Sequence, residues 1–485
     1  MQNTVTMYGD QNVIVTFTEY IEYSLAITQA SGGTITADPD DLTYPRDTMV
    51  KLIATPDTDY TFNNWAGDCA GQGNPCWVTM DSDKTVTATF SPGQTLPQNL
   101  IGSPGTVVEG FESMSGWTVS GSGSGYSAAL DTVNFKEGSA SIKLTTPASG
   151  NVTITKPVTW DLSANQGNLR LWVYVSGTTE PTGGSIILSS DTSFSNYYVT
   201  SYGGAFKLRY KPGWNLINLR TADWKTTGSP NWASIVRIRI RLDSKSINTY
   251  SFDGLTSGVV AQPAVIFTFD KGLTSLYSQA FTYMQTHNVR GTGYIPTNLV
   301  GGTGQASWAQ LQTMFNAGWT IGNYTMAGTS LAGLSQADQM AALSGARDAL
   351  NAQGILNADH VAYPGGAYDA NTLAAMNALG MRTGRTLLTF NNLSPLGSPL
   401  EMAQRTISKS TTLSTAQGWV STAIARQEIL VITIQGLSAS PGTSDWYIAR
   451  FQSLISYCIS QGIPIITMDD LYRLQSAPIT IPIAN

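Results

Sequence analysis

Near residue 264 the hydrophobic pattern of this chain changes its period. Before that point apolar residues recur at every second position, the spacing of a strand with one buried face. Val236-Arg237-Ile238-Arg239-Ile240-Arg241-Leu242 is the clearest run, with aliphatics on one side and three arginines on the other. Beyond it, strand-like runs alternate with helical segments. The strands read as Val265–Phe269, Gly291–Ile295, Trp319–Gly322, His360–Tyr363, Met381–Thr383, Ile429–Ile434 and Ile463–Met468. Ser307-Trp308-Ala309-Gln310 and Ser414-Thr415-Ala416-Gln417 read as capping boxes that open two of the helices. Strand–helix alternation implies a parallel sheet, and seven such units predict a closed or nearly closed barrel over 262–476, with a short tail at 477–485. At 485 residues the chain exceeds what one core organises, so several domains are expected.

The amino-terminal part contains a repeat. Val5-Thr6-Met7 through Val15-Thr16-Phe17 matches Val78-Thr79-Met80 through Thr87-Ala88-Thr89-Phe90 at a constant offset. One whole unit therefore spans 23–92, and residues 1–22 read as the tail of a preceding unit. On that reading the chain begins inside a repeat, Met1 is an artificial start, and an export signal stood upstream. Alternating strands and Gly/Asp turns make the unit a small all-β module. Its Tyr60-Thr61-Phe62-Asn63-Asn64-Trp65-Ala66-Gly67-Asp68-Cys69 run, with Met80-Asp81 and Val86-Thr87-Ala88-Thr89-Phe90, resembles the internalin-B-type repeats of bacterial surface proteins, which implies a spacer or adhesive stalk.

After a linker at 93–104, residues 105–260 carry strands separated by Gly/Ser turns and predict a jelly-roll β-sandwich. Glu109-Gly110-Phe111-Glu112 and Phe252-Asp253-Gly254-Leu255 resemble the first and last strands of carbohydrate-binding modules. That resemblance lets Glu112 and Asp253 share a structural calcium, a hard cation that seeks carboxylate oxygens; two acids at strand ends are the plainer alternative. Tyr197, Tyr198, Tyr202, Trp224 and Trp232 are candidates for a sugar-stacking platform, with core packing as the competing role.

Composition narrows the partners. Charged residues make up 12% and the net charge is −6, so no basic field exists for nucleic acid. No apolar run approaches the length needed to cross a bilayer. Cys69 and Cys76 flank a short Gly/Asn/Pro loop and read as a disulfide, which places the protein outside the cell or on its surface; Cys458 stands alone in a helical pattern.

The strand ends of the barrel carry a recognisable series. Thr268-Phe269-Asp270-Lys271-Gly272, Ile321-Gly322-Asn323-Tyr324-Thr325, Ala362-Tyr363-Pro364-Gly365-Gly366 and Ile463 to Leu471 follow in order. They resemble the motifs of the polysaccharide deacetylase (NodB-homology) family. Members hold a divalent metal with one aspartate and two histidines, use a second aspartate as base, and protonate the leaving amine with a late histidine. The resemblance puts the base on Asp270, the metal aspartate on Lys271, the metal histidines on Tyr324 and Gly328, and the late histidine on Gln435. Substrate contacts fall on Asn323, Tyr363, Pro364 and Gly366. Trp446 and Tyr447 form a possible sugar platform, and Arg382, Arg385 and Arg405 are candidate contacts for an acidic sugar.

Four of the five chemical positions are altered, so no metal is expected in the barrel. His360 sits at the N-terminal end of its strand, about 10 Å from Pro364 at 3.3 Å per residue, and His287 ends a helix. An ammonium at Lys271 repels a dication. Two metal-free readings stay open. In one, Lys271 replaces the metal's charge, with Asp270 as base or nucleophile and Tyr324 as acid, for metal-free chemistry on a polysaccharide. In the other, Lys271 pairs with a carboxylate and the barrel is a non-catalytic glycan-binding adhesin or scaffold. A metal-dependent deacetylase with atypical ligands is a third.

Overall fold

The computed structural model describes residues 20–476, apart from 30, 58–59, 71, 73, 93–98, 166–167, 178–180, 203–211 and 357. The tails expected at 1–22 and 477–485 lie almost wholly outside the described residues. The chain divides into two compact units: the repeat, and the sandwich with the barrel.

In the repeat, Met49–Pro56 buries Val50, Leu52 and Ala54 and exposes the residues between, as its alternation requires. It lies between Gly33–Asp38 and Cys76–Thr79 in an antiparallel three-stranded sheet. A second sheet takes Glu22–Thr28, Thr43–Pro45, Tyr60–Gly67 and Lys84–Pro92. Trp65, Tyr44 and Val86 fill the core between them. Cys69 and Cys76 are bonded and fully buried, so the disulfide expected from their spacing closes the loop there.

The sandwich is formed by two antiparallel sheets. Ile235–Ser244 runs through the middle of one and turns Ile238, Ile240 and Leu242 inward. Leu169–Val175 and Thr249–Ser257 lie side by side in the other. Leu169, Leu171 and Val173 enter the core, which leaves Arg170 and Trp172 on the opposite face of the sheet. Tyr198 and Trp224 are core residues too, and Trp232 stacks on Tyr198 at 3.6 Å, so these three candidate rings take the core-packing role. The Tyr202 side chain lies outside the described set.

Seven parallel strands make the barrel: β1 (Ala264–Phe269), β2 (Thr292–Ile295), β3 (Thr320–Asn323), β4 (His360–Ala362), β5 (Thr383–Arg385), β6 (Arg405–Thr406) and β7 (Ile429–Ile434). Their order is β5-β4-β3-β2-β1-β7-β6. β1 and β7 are buried throughout, as a parallel sheet covered on both faces demands. Arg385 bridges Met402 just before β6, which nearly closes the ring.

Three expectations need correction. Ile463–Met468 is not a strand: Ile465 makes a single bridge to Val265, and β6 takes the seventh place. A two-residue strand offers no period to read. β5 starts two residues later than its apolar pattern suggested. The Ser307–Gln310 box is present, but the later helix starts at Leu413 with Thr412 as its cap, accepting from the Thr415 amide.

Candidate functional site at the barrel mouth

The C-terminal ends of β1, β2, β3, β5 and β7 converge. Asp270, 5% exposed, directly follows β1, and the chain then turns sharply through Lys271 (φ 70°) and Gly272 (φ 60°). A left-handed lysine is uncommon, and it swings the ammonium out of the barrel. Lys271 is exposed and donates to Gln435 Oε1 at 3.0 Å, tying the end of β1 to the end of β7.

The cation that meets Asp270 is Arg385. Its Nη2 donates to Asp270 Oδ1 at 2.6 Å and Oδ2 at 2.7 Å, and its Nη1 donates to Thr433 Oγ1 at 2.9 Å. The guanidinium is 1% exposed and lies 5.3 Å from the Tyr294 ring. The expectation that Lys271 replaces the metal's charge, or pairs with a carboxylate, is corrected: positive φ carries it outward, while β5 points Arg385 inward.

Burial raises the Asp270 carboxyl above its ordinary range, against the pull of Arg385 and Lys271. Tyr324 is 5% exposed, and its hydroxyl is pushed up to about 12, first by burial and then by the Asp270 charge. Tyr294 is raised further for the same reasons. Asp270, Lys271, Tyr324 and Gln435 thus do gather at one mouth, but Tyr324 is a neutral hydrogen-bond donor at physiological pH, far from the range of an efficient general acid.

The predicted substrate contacts border this cluster, with the Gly365 backbone bonded to Tyr324, but their own polar groups serve the framework. Asn323 is buried and bonded at both ends of its amide: Nδ2 donates to the Leu343 carbonyl and Oδ1 accepts from the Thr325 amide. Tyr363 donates to the Leu400 carbonyl and stacks on Tyr368. Pro364 is buried at the start of a short turn, and Gly366 (φ 68°) packs beneath Leu387. Arg405 lies over Trp419 of the outer helix Leu413–Arg426, so it faces away from the mouth. Trp446 is fully buried and donates to the Thr411 carbonyl, a framework role rather than a sugar platform. Arg382 bonds Asp469, and His360 is held between Thr383 and Asp469. Of the three arginines suggested for the groove, Arg385 alone lies at the mouth; a strand end misplaced by two residues concealed it.

A divalent metal does not fit this donor set. Asp270 is occupied by Arg385, and the neighbours are an ammonium, an amide and a protonated phenol. Among the described residues no cluster of three or more His, Cys, Asp or Glu forms a candidate metal site. In the sandwich, Glu112 accepts from the Ser139 and Ala140 amides and Asp253 from the Lys136 and Glu137 amides, so both carboxylates brace one loop.

Residues 257–384 match the polysaccharide deacetylase family model, and residues 23–94 match that of the divergent InlB B-repeat domain. No curated protein matches the sequence. Among solved structures, the Streptococcus pyogenes deacetylase PplD in complex with acetate is 22% identical over 28% of this chain and 62% of its own, TM-score 0.28. A mutant of BA3943, described as a CE4 family pseudoenzyme with restored enzymatic activity, is 14% identical over 44% and 68%, TM-score 0.33. The family 11 carbohydrate-binding module from Clostridium thermocellum, with a mixed-linked tetrasaccharide, is 12% identical over 32% and 95%, TM-score 0.26. The matched segments make this a chain with a polysaccharide deacetylase domain whose match ends one residue before Arg385, and a divergent InlB B-repeat near its amino terminus.

Proposed function

We propose that the protein is an extracellular, polysaccharide-directed member of the deacetylase superfamily whose barrel binds glycan without the family's metal and without hydrolysing it. One observation carries the reading: the Arg385–Asp270 pair stands where the family's resemblance puts base and metal. Arg385 already neutralises the Asp270 charge, which weakens that carboxylate as a partner for a dication and pulls against its basicity. What remains open to a ligand is Lys271 with Gln435, polar groups suited to sugar hydroxyls. The Cys69–Cys76 bond supports an oxidising compartment. Among the described residues, no helix is long and apolar enough to cross a membrane.

The test is metal analysis of purified protein dialysed against zinc and cobalt, alongside acetate release from acetylated chitin and xylan oligomers and retention on a polysaccharide panel. The expected result is substoichiometric metal, no acetate and retention on at least one polysaccharide. One equivalent of metal with acetate release would overturn the proposal. Turnover in EDTA would instead favour metal-free chemistry by Asp270 and Tyr324. A sandwich calcium at Glu112 and Asp253 belongs to the same proposal, supported by Asp253 Oδ1, which is buried without a hydrogen-bond partner among the described residues. Identical melting in calcium and in EDTA would count against it.

A further inference from the structure

The run Val236-Arg237-Ile238-Arg239-Ile240-Arg241-Leu242 lies in Ile235–Ser244, in the middle of one sandwich sheet, with Ile238, Ile240 and Leu242 in the core. Its three arginines therefore share the outer face of that sheet. The barrel packs against the other sheet, where Arg170 donates to the Ser394 carbonyl and Asn218 to the Arg426 carbonyl, so the arginine face is turned away from it. Thr155 and Ile187 flank Arg239 in register, and Thr153 and Ser185 flank Arg241. Val199 and then Lys225 lie beyond Ile187. From Arg237 to Arg241 the row spans about 13 Å at 3.3 Å per residue.

Among the described residues, little on this face balances the charge. Arg241, 47% exposed, pairs with Asp243 at 2.8 Å. Arg237 Nη1 donates only to the adjacent Val236 carbonyl, and Arg239 Nε donates to Thr155 Oγ1. Both side chains are half-buried, and their other guanidinium nitrogens stay accessible with no partner among the described residues. Asp191, in the loop that reaches Arg239, has its two oxygens occupied by the amides of Ser193, Ser195 and Asn196. That loop holds Phe194 at φ 58°, a strained conformation for a phenylalanine, and its ring lies 3.6 Å from the Arg239 guanidinium. The ring orients the cation without neutralising it.

We propose that this face binds a polyuronate, an anionic polysaccharide whose successive carboxylates meet Arg237, Arg239 and Arg241 while its sugar rings cover Ile187 and Val199. Guanidinium forks match carboxylates, and contacts made together along one polymer reinforce one another. The aliphatic floor beside the cations suits the C–H face of a sugar ring. The choice of a sugar polymer rests on the polysaccharide-directed reading above and on the net charge of −6, which disfavours nucleic acid.

Binding of the full chain to immobilised polygalacturonate, to its methyl ester and to single-stranded DNA tests this. Polygalacturonate is expected to bind at least about tenfold tighter than the other two, and to weaken as salt rises. Arg237→Gln together with Arg239→Gln should weaken it about tenfold. Arg237→Gln alone, at a side chain bonded only to its neighbour's carbonyl, should weaken it about threefold and keeps the test if the double variant fails to fold. Lys143→Gln removes the same charge from the other sheet and should leave the affinity unchanged. No polygalacturonate binding, a methyl ester bound as tightly, unchanged affinity in Arg237→Gln, or an equal loss in Lys143→Gln would overturn the proposal. DNA bound as tightly would overturn the sugar assignment. Acetate release by the barrel, which would defeat the preceding reading, leaves these outcomes as they are.

Discussion

A guanidinium and a dication make different demands on the carboxylate they share. A metal leaves coordination positions open for water and substrate, whereas Arg385 bonds both oxygens of Asp270 and offers no such position of its own. The pair is expected to behave as structure. Asp270→Asn strands a buried positive charge and should cost about 3–5 kcal/mol in chemical denaturation, while replacing both residues with aliphatics should cost much less. Lys271→Met should leave the denaturation midpoint unchanged, because its amide partner Gln435 is neutral and the ammonium is exposed. If Lys271→Met were the more damaging change, Arg385 would not be the cation that holds the mouth together. Reinstating a histidine at Gly328 meets a backbone obstacle, since φ there is 69°.

At the level of elements, β5 decides where Arg385 points, and Gly384 decides where β5 lies. A methyl group at Gly384 would overlap the Tyr363 hydroxyl and the Leu400 carbonyl. Gly384→Ala is expected to cost about 1–3 kcal/mol through overpacking and to loosen the Arg385–Asp270 pair. Comparing its coupling energy with that of Asp270→Asn in a double-mutant cycle checks this. β4 begins with His360, fully buried, whose pKa burial lowers despite Asp469. Below about 6.5 the unfolded chain takes up a proton that the folded chain resists, so stability should fall from there toward the lower, folded pKa. Urea midpoints at pH 7.5 and 5.5 measure the slope, and His360→Asn should flatten it.

For the molecule as a whole, the sandwich and the barrel behave as one compact unit because polar groups lock their interface. Arg426 of the barrel bonds Asp223 of the sandwich and Glu428 of its own domain, while Asn218 and Arg220 donate to the Arg426 carbonyl. Asp223→Ala removes charge-assisted bonds worth about 1.5–3 kcal/mol. It should split a shared calorimetric transition into two. A single unchanged transition would mean that apolar contacts hold the domains together.

The order of modules, the deacetylase-type barrel and the loss of histidine from the mouth were legible in the chain itself, because period, turn residues and strand-end motifs are local properties. So was the Cys69–Cys76 bond, whose partners lie seven residues apart. The cation of the mouth was not. Asp270 and Arg385 are separated by 115 residues and meet because β5 ends one residue beyond Gly384. Lys271, adjacent to Asp270 in sequence, is turned away by a positive φ. Burial likewise assigned Asn323, Tyr363 and Trp446 to the framework. Which charges pair depends on distance in space and on exclusion of water, and both come into being only when the barrel packs.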